Sequence, residues 1–267
     1  MRLYLYNMLH ITTIQSDLFW EDKTANLNMF EEKIKNISTK KEIVILPEMF
    51  STGFSMNAEA LAEKMEGVTM QWMKRICREN KIILTGSIII EEDNKFYNRL
   101  IWMLPNETFG YYDKRHLFGF AGEDKYFSTG NNRLITSVNG WKINLQICYD
   151  LRFPVWARQQ NASEYDILIY VANWPERRSH AWKSLLTARA IENQCYVIGV
   201  NRIGTDGKGN AHSGDSMIID PLGMILYHKN NVADVFSIEL DKNNLNDIRA
   251  TLPFLKDKDD FIFQDFA

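Results

Sequence analysis

Ile43-Val44-Ile45-Leu46 is a short, uninterrupted apolar run, and it constrains the fold more than any other stretch of the chain. A strand has this composition when both of its faces are covered, because neither face then alternates with polar side chains. Just before it, apolar residues recur at steps of three, four and three from Leu27 to Ile37, the spacing of one helical face. The two patterns together predict a buried sheet covered by helices.

Further strands and helices follow along the chain, and hairpin signals lie between some of the strands. Asn139-Gly140 separates two apolar runs, which is a strong signal for a tight β-hairpin. Strands are predicted at residues 10–14, 43–46, 82–90, 96–104, 134–138, 141–147, 167–171, 196–200, 217–219 and 235–240, helices around 27–37 and 72–77 and over 179–193, and a flexible loop at 204–209. Because hairpins and intervening helices are both present, we expect an α/β fold with two mixed sheets, stacked as a four-layer α-β-β-α sandwich.

The chain has no internal repeat and no linker rich in Pro, Gly or Ser, and its 267 residues are enough for a substantial core. We therefore expect a single domain over residues 1–267, with a core at 8–240 and a C-terminal extension at 241–267. The extension carries several large apolar side chains, among them Phe254, Phe261, Phe263 and Phe266. That is too much apolar surface to leave in water, so it should pack against the body of the subunit or against a partner.

The net charge is −3 with both signs interspersed, which predicts neither nucleic-acid binding nor attachment to a membrane. Residues 1–7 lack the apolar region and cleavage site of a signal peptide. The three cysteines, Cys77, Cys148 and Cys195, suit a reducing compartment better than a disulfide framework, so a cytoplasmic location is expected. The five histidines have no metal-ligand spacing and the glycines form no phosphate-binding loop, so neither a metal nor a cofactor is expected.

Cys148 stands directly after the predicted strand 141–147 and begins the polar stretch Cys148-Tyr149-Asp150-Leu151-Arg152. Free cysteines are most often small buried hydrophobes, and Cys77 and Cys195 fit that description. A thiol at a strand end before a turn is instead placed to act as a nucleophile. Glu48 and Lys114 also follow apolar strand patterns, and they supply a base for the thiol proton and a cation for a developing oxyanion.

Three stretches, Leu46-Pro47-Glu48, Tyr112-Asp113-Lys114 and the run from Cys148 to Pro154, resemble the nitrilase superfamily of carbon–nitrogen hydrolases. The resemblance extends over nearly the whole chain, as far as Asp220-Pro221-Leu222-Gly223. It implies the same sandwich fold and a catalytic triad of Glu48, Lys114 and Cys148.

The resemblance also implies roles for the groups around the triad. Glu123 matches a second glutamate that positions the lysine. Lys114 and the backbone N–H of Tyr149 are expected to hold the oxyanion, and Lys114 is also expected to lower the pKa of the Cys148 thiol.

The finer detail resembles the ω-amidase branch, which implies a small-molecule substrate: the ω-amide of a 2-oxo acid, such as 2-oxoglutaramate or 2-oxosuccinamate. Hydrolysis would pass through a thioester and give the 2-oxo acid and ammonia, in a homodimeric enzyme. Candidate substrate-binding residues are Trp174, Phe118 and the arginines Arg152 and Arg177, because a guanidinium binds a carboxylate through two parallel hydrogen bonds. Arg178 is a third arginine of this kind, and the sequence does not choose among them.

Several alternatives stay open at this stage. Within the same superfamily the chain fits a nitrilase or a carbamoylase. From another class, it fits a non-catalytic binding module that has kept the fold, although the intact Glu48, Lys114 and Cys148 argue against this. A redox thiol protein is disfavoured because neither Cys77 nor Cys195 is placed by the sequence as a resolving cysteine.

Overall fold

The computed structural model describes residues 7–263 of the chain. The predictions for residues 1–6 and for Phe266 lie outside the described residues. The strands are β1 Met8–Gln15, β2 Ile43–Ile45, β3 Ile83–Glu92, β4 Lys95–Met103, β5 Phe109–Asp113, β6 Leu134–Val138, β7 Trp141–Ile147, β8 Ile167–Ala172, β9 Tyr196–Asn201, β10 Ile203–Thr205, β11 Ala211–Ile219, β12 Ile225–Asn230 and β13 Asp234–Asp241. The α-helices are α1 Lys23–Lys35, α2 Ala58–Leu61, α3 Val68–Asn80, α4 Pro154–Ala157, α5 Ser179–Asn193 and α6 Lys242–Thr251.

The strands form two mixed sheets. The first has the order β13-β1-β2-β3-β4-β5, in which β1, β2 and β3 run parallel and the other pairs are antiparallel. The second has the order β10-β11-β9-β8-β7-β6, with β12 paired to β11. Its centre is parallel, because β8 pairs in parallel with both β7 and β9.

Three apolar clusters define the layers. One joins side chains of the first sheet, such as Ile45 and Leu100, to side chains of the second, such as Leu145 and Ile169, and so lies between the sheets. The other two clusters join the first sheet to α1 and α3 and the second sheet to α5. The order is therefore helix, sheet, sheet, helix, and the predicted α-β-β-α sandwich is confirmed.

Most predicted elements lie within one to three residues of those observed, and the bounds of β6, β7 and α5 agree in full. The differences concentrate after residue 200. Part of the predicted loop at 204–209 belongs to β10, while β11 begins six residues before the predicted strand. Strand β12 and the helices α2, α4 and α6 are absent from the predicted elements. Strand β12 is mostly exposed, and its apolar residues, Ile225 to Tyr227, fill only its first half, which gives a weak strand signal.

The end of the described chain returns to the body of the protein. The rings of Phe263 and Trp156 lie with their centroids 5.1 Å apart, and Gln160 donates a hydrogen bond to the Phe261 carbonyl. Among residues 7–263, no helix is long and apolar enough to span a membrane. The division into one domain with a C-terminal extension stays a prediction.

Candidate active site

The two sheets bring three strand ends to one edge of the sandwich. Glu48 follows β2 and Lys114 follows β5. Strand β2 is parallel to β3, and β3 is separated from β5 by two antiparallel pairings, so β2 and β5 run in the same direction. Cys148 follows β7 in the other sheet. The residues predicted to act together are therefore delivered from both sheets to one place.

Lys114 is fully buried between two fully buried carboxylates. Its Nζ lies 2.8 Å from Oε1 of Glu48, and 3.0 and 2.9 Å from the two carboxylate oxygens of Glu123. Burial lowers the pKa of Lys114, but the charges of Glu123 and Glu48 raise it more, so the net shift is upward. Lys114 is therefore a protonated ammonium at neutral pH.

The pKa of Glu123 is also shifted upward, but in its case burial outweighs the effect of the neighbouring ammonium. Burial raises the pKa of its carboxyl group, Lys114 lowers it, and Glu48 raises it again, with a net upward shift. The backbone N–H of Phe118 donates to Glu123 Oε2 over 2.6 Å, which fixes the carboxylate against the loop after β5. Glu123 thus holds the Lys114 ammonium in place from the side opposite Glu48.

Two asparagines orient Glu48, and sequence reasoning assigned neither of them this position. Asn98 on β4 donates to Glu48 Oε1 over 2.8 Å and to Glu123 Oε1 over 3.2 Å. The backbone N–H of Asn173, directly after β8, donates to Glu48 Oε2 over 2.8 Å, and its side chain donates to the Glu48 carbonyl. Asn98 has no distinctive sequence signal, because β4 also carries a lysine and an arginine.

Cys148 sits at the start of a 3-10 turn that runs from Cys148 to Arg152. Its φ is +44°, in the left-handed region that non-glycine residues rarely adopt. The first N–H groups of such a turn have no partner within it, so the Tyr149 N–H is available to an acceptor beside the sulfur.

Asp150 anchors this turn through one buried carboxylate. It accepts hydrogen bonds from Ile147 N over 3.0 Å and from the Tyr112 hydroxyl over 2.8 Å. Its other oxygen accepts from His116 N over 3.0 Å and lies 2.8 Å from His116 Nδ1. The His116 ring also stacks on Phe153, with centroids 3.8 Å apart. Asp150 therefore connects the 3-10 turn that begins at Cys148 to the loop that carries Lys114.

Replacement of Asp150 by asparagine is expected to lower both stability and turnover. The new amide places an N–H group among donors, leaving at least one buried donor without an acceptor at a cost of about 1–3 kcal/mol. Urea unfolding measures the stability and ammonia release measures the rate. Asp247→Asn, an exposed change of the same kind, is the matched control. Equal behaviour of the two variants would contradict the anchoring role.

Lys114 lowers the pKa of the Cys148 thiol, as predicted, but the net shift of that pKa is upward. Burial raises the pKa of the Cys148 thiol, the Glu48 carboxylate raises it further, and Lys114 only partly offsets these effects. The surroundings of Cys148 therefore favour the neutral thiol over the thiolate in the free protein. Cys77 and Cys195 are buried, as predicted, and burial raises the pKa of the Cys77 thiol to about 12.

Cys148 and Lys114 open onto a cavity of about 220 Å³. This is below the usual range of about 300–1,000 Å³ for pockets that take drug-sized ligands, so it suits a small molecule. Aromatic rings wall one side, with Phe118 and Tyr149 centred 4.9 Å apart. All four predicted substrate-binding residues line this cavity, namely Phe118, Arg152, Trp174 and Arg177, and Arg178 lines it as well.

The far wall comes from residues 206–212, of which 206–209 belong to the flexible loop that the sequence predicts at 204–209. Asp206 accepts hydrogen bonds from Asn210 and from Lys208 N, so its carboxylate is occupied by its own turn. His212 is buried beside it, and burial together with Arg202 lowers the pKa of His212 to about 4. Among the described residues, no group of three or more His, Cys, Asp or Glu side chains is arranged to hold a metal ion.

A cysteine placed beside a carboxylate-bound ammonium, at the edge of an α-β-β-α sandwich, defines a site of the cysteine-dependent hydrolase class. The sequence model of the family described as carbon-nitrogen hydrolase matches residues 10–250. The chain belongs to this family, within the nitrilase superfamily, and is a hydrolase of carbon–nitrogen bonds.

Similar proteins agree with this assignment. Omega-amidase YafV of Escherichia coli K12 is 41% identical over 254 residues, which cover 95% of this chain and 98% of that protein. The 2-oxoglutaramate amidase of Bacillus subtilis 168 is 31% identical over 250 residues, covering 92% and 96%. The crystal structure of XC1258 from Xanthomonas campestris, a CN-hydrolase superfamily protein with an arsenic adduct in its active site, superposes with a TM-score of 0.93 at 38% identity, covering 96% and 99%.

Proposed function

We propose that the protein is an ω-amidase, which hydrolyses the ω-amide of a small 2-oxo acid such as 2-oxoglutaramate or 2-oxosuccinamate to the 2-oxo acid and ammonia. One observation carries the chemistry: the buried Lys114 ammonium lies against Glu48 at the end of a cavity that also holds Cys148. The substrate class is supported by the similarity to YafV and to the B. subtilis 2-oxoglutaramate amidase, and by arginines in the cavity wall.

In the first half-reaction, Glu48 accepts the Cys148 proton as the sulfur attacks the amide carbonyl carbon. The carbonyl oxygen becomes an oxyanion, which the Lys114 ammonium and the Tyr149 N–H stabilise. When the tetrahedral species collapses, the carbon–nitrogen bond breaks and Glu48 passes its proton to the leaving nitrogen, which departs as ammonia. A thioester on Cys148 remains.

In the second half-reaction, Glu48 takes a proton from a water molecule, which attacks the thioester carbon. The same two donors hold the second oxyanion. When that species collapses, the carbon–sulfur bond breaks, Glu48 returns its proton to the sulfur, and the carboxylic acid is released. Glu123 keeps Lys114 charged and in position in both steps, since its two oxygens lie 3.0 and 2.9 Å from Nζ. A thiol that is neutral at rest fits this scheme, because Glu48 moves the proton only when a carbonyl is in place.

The experiment that tests this proposal is an ammonia-release screen of the purified protein. We expect the highest kcat/KM for 2-oxoglutaramate or 2-oxosuccinamate, with glutamine, asparagine and N-carbamoyl amino acids at least about tenfold lower, since a pocket built for a polar group rejects analogues that lack it. Ammonia from N-carbamoyl amino acids alone would make the protein a carbamoylase. Turnover of a nitrile in preference to the amide would make it a nitrilase.

We also propose that the protein is a homodimer. Ile191 on α5 and the turn after β11 form a contiguous apolar surface. Gly223 in that turn packs so closely on the Ile191 side chain that a Cβ added there would lie only 2.8 Å from it. Leu222, Met224 and Ile225 on this surface are each more than half exposed. Burial of such a patch by a second copy would stabilise the pair, and light scattering measures the mass. The cytoplasmic location stays a prediction.

A further inference from the structure

The three arginines at the cavity differ in their surroundings, although the sequence treats them alike. Arg152 and Arg177 are exposed, and each lies over an aromatic ring, Trp174 at 5.0 Å and Phe120 at 6.0 Å. Arg178 is partly buried, with its guanidinium carbon 5.0 Å from the centre of the Phe118 ring. Of the three, only Arg178 is partly shielded from bulk solvent.

Arg178 also lacks the counter-charge that a partly buried cation requires. Among residues 7–263 no carboxylate pairs with it, and the charged groups that act on it are the cations Arg177 and Arg152 and the ionisable Cys148 and Tyr149. Burial lowers the pKa of Arg178, and Arg177 lowers it further. A cation in this setting is costly unless an anion joins it.

Among the described residues that line the cavity, Asp206 is the one acidic residue, and it does not fill this role. Asp206 is occupied by Asn210 and Lys208 N within its own turn, and hydrogen bonds there lower its pKa more than burial raises it. The cavity therefore combines a nucleophile at one end with an unneutralised guanidinium in its wall. A cavity of this kind fits a substrate that carries an amide near Cys148 and a separate anionic group near Arg178.

We infer that Arg178 binds the carboxylate of the substrate, and that it rather than Arg152 or Arg177 determines the preference for carboxylated amides. This inference rests on the proposed function and makes it more specific. The planar guanidinium offers two parallel donors to a carboxylate, while Phe118 supports the side chain from one face. The backbone carbonyl of Arg178 accepts a hydrogen bond from Trp174 Nε1 over 2.8 Å, which fixes the chain at this point.

The test compares Arg178→Gln with Arg177→Gln, which removes the same charge from the neighbouring residue at the mouth of the cavity. For each protein, kcat/KM is measured with 2-oxoglutaramate and with pentanamide, an amide without the carboxylate. We expect the ratio of the two values to fall about 10²-fold in Arg178→Gln, mainly through KM, because a desolvated charge pair is lost. In Arg177→Gln the ratio should fall by less than about fivefold, since an exposed charge contributes little.

Arg178→Lys provides a conservative comparison, because it keeps the charge but loses the paired donors, and the ratio should fall by about tenfold. Thermal unfolding of all the variants establishes that they fold. An equal fall in Arg177→Gln and Arg178→Gln, or an unchanged ratio in Arg178→Gln, would overturn the inference.

A binding measurement separates this inference from the proposed reaction. Calorimetric titration of glutarate into the Cys148→Ala protein needs no turnover, and adding Arg178→Gln to that protein should weaken binding about 10²-fold relative to adding Arg177→Gln. If the wild-type protein hydrolyses no 2-oxo acid amide but this difference persists, the substrate assignment fails and the carboxylate site stands. If hydrolysis occurs but glutarate binding is equal in both double variants, only the assignment to Arg178 fails.

Discussion

Replacement of Cys148 by alanine is expected to abolish amide hydrolysis, with a loss on the order of 10⁴-fold or more, while the fold stays intact. In the proposed mechanism the sulfur forms the covalent bond that divides amide hydrolysis into two easier steps, and no other side chain in the cavity is expected to replace it. The change removes one partly buried sulfur atom at the edge of the core between the sheets, and the buried side chains of that core all remain.

Ammonia release from 2-oxoglutaramate measures the loss, and thermal unfolding with circular dichroism establishes the fold. Cys77→Ala is the matched control, since Cys77 is buried on α3, away from the cavity, and should keep turnover within about twofold at a modest cost in stability. Near-normal turnover by the Cys148→Ala protein would remove the nucleophile from the proposed mechanism.

Replacement of Lys114 by methionine is expected to reduce both catalysis and stability, for two separate reasons. An oxyanion donor is lost, which typically costs about 2.7–4 kcal/mol, or 10²–10³-fold in kcat. In addition, Glu48 and Glu123 are left as two buried carboxylates without their shared cation, and breaking a buried pair in this way costs about 3–5 kcal/mol of stability.

The stability of the Lys114→Met protein should also depend on pH with a definite sign. Burial and the neighbouring Glu48 raise the pKa of Glu123, and the charge of Lys114 that opposes them is gone. A carboxyl group with a raised pKa in the folded state stabilises the fold when protonated, so its contribution is present below the unfolded pKa of about 4.3 and is lost as pH rises through the folded value. The variant should therefore be relatively more stable at pH 5 than at pH 8.

Urea unfolding at the two pH values measures this effect, with Lys125→Met as control. Lys125 lies in the same loop as Glu123 but is exposed, so its removal should change neither the stability nor its pH dependence appreciably. A Lys114→Met protein whose stability relative to wild type is the same at pH 5 and pH 8 would show that the two carboxylates do not depend on this cation.

The sequence predicts the parts of the fold that are encoded by local pattern. The hairpin of β6 and β7 has its Asn-Gly turn and two apolar runs, and the bounds of both strands follow from them. Glu48, Lys114 and Cys148 each stand directly after an apolar run or close to its end, so their placement at strand ends is also local information.

The rest of the site depends on contacts between distant segments. Asn98 bridges Glu48 and Glu123 only because β4 lies beside β3 and β5, and Asp150 becomes an anchor only when Tyr112 and His116 arrive from the other sheet. The acidity of Cys148 is a further example, because it depends on how completely the thiol is removed from water. No sequence pattern records that balance, so the sequence predicts that Lys114 lowers the thiol pKa but does not predict the net upward shift.

Glu48 and Cys148, the proposed base and nucleophile, come from different sheets, and the hydrogen bond from Asn173 N to Glu48 crosses between the sheets. Because a displacement of about 1 Å is enough to impair catalysis strongly, turnover is a sensitive gauge of how the two halves of the sandwich are docked. Mild heating or a low concentration of denaturant that loosens the contact between the sheets should abolish turnover while the backbone hydrogen bonds within each sheet remain. Loss of turnover would then occur at a lower temperature or denaturant concentration than loss of the circular dichroism signal. The difference between the two midpoints would measure how far the sheets can shift relative to each other before they unfold.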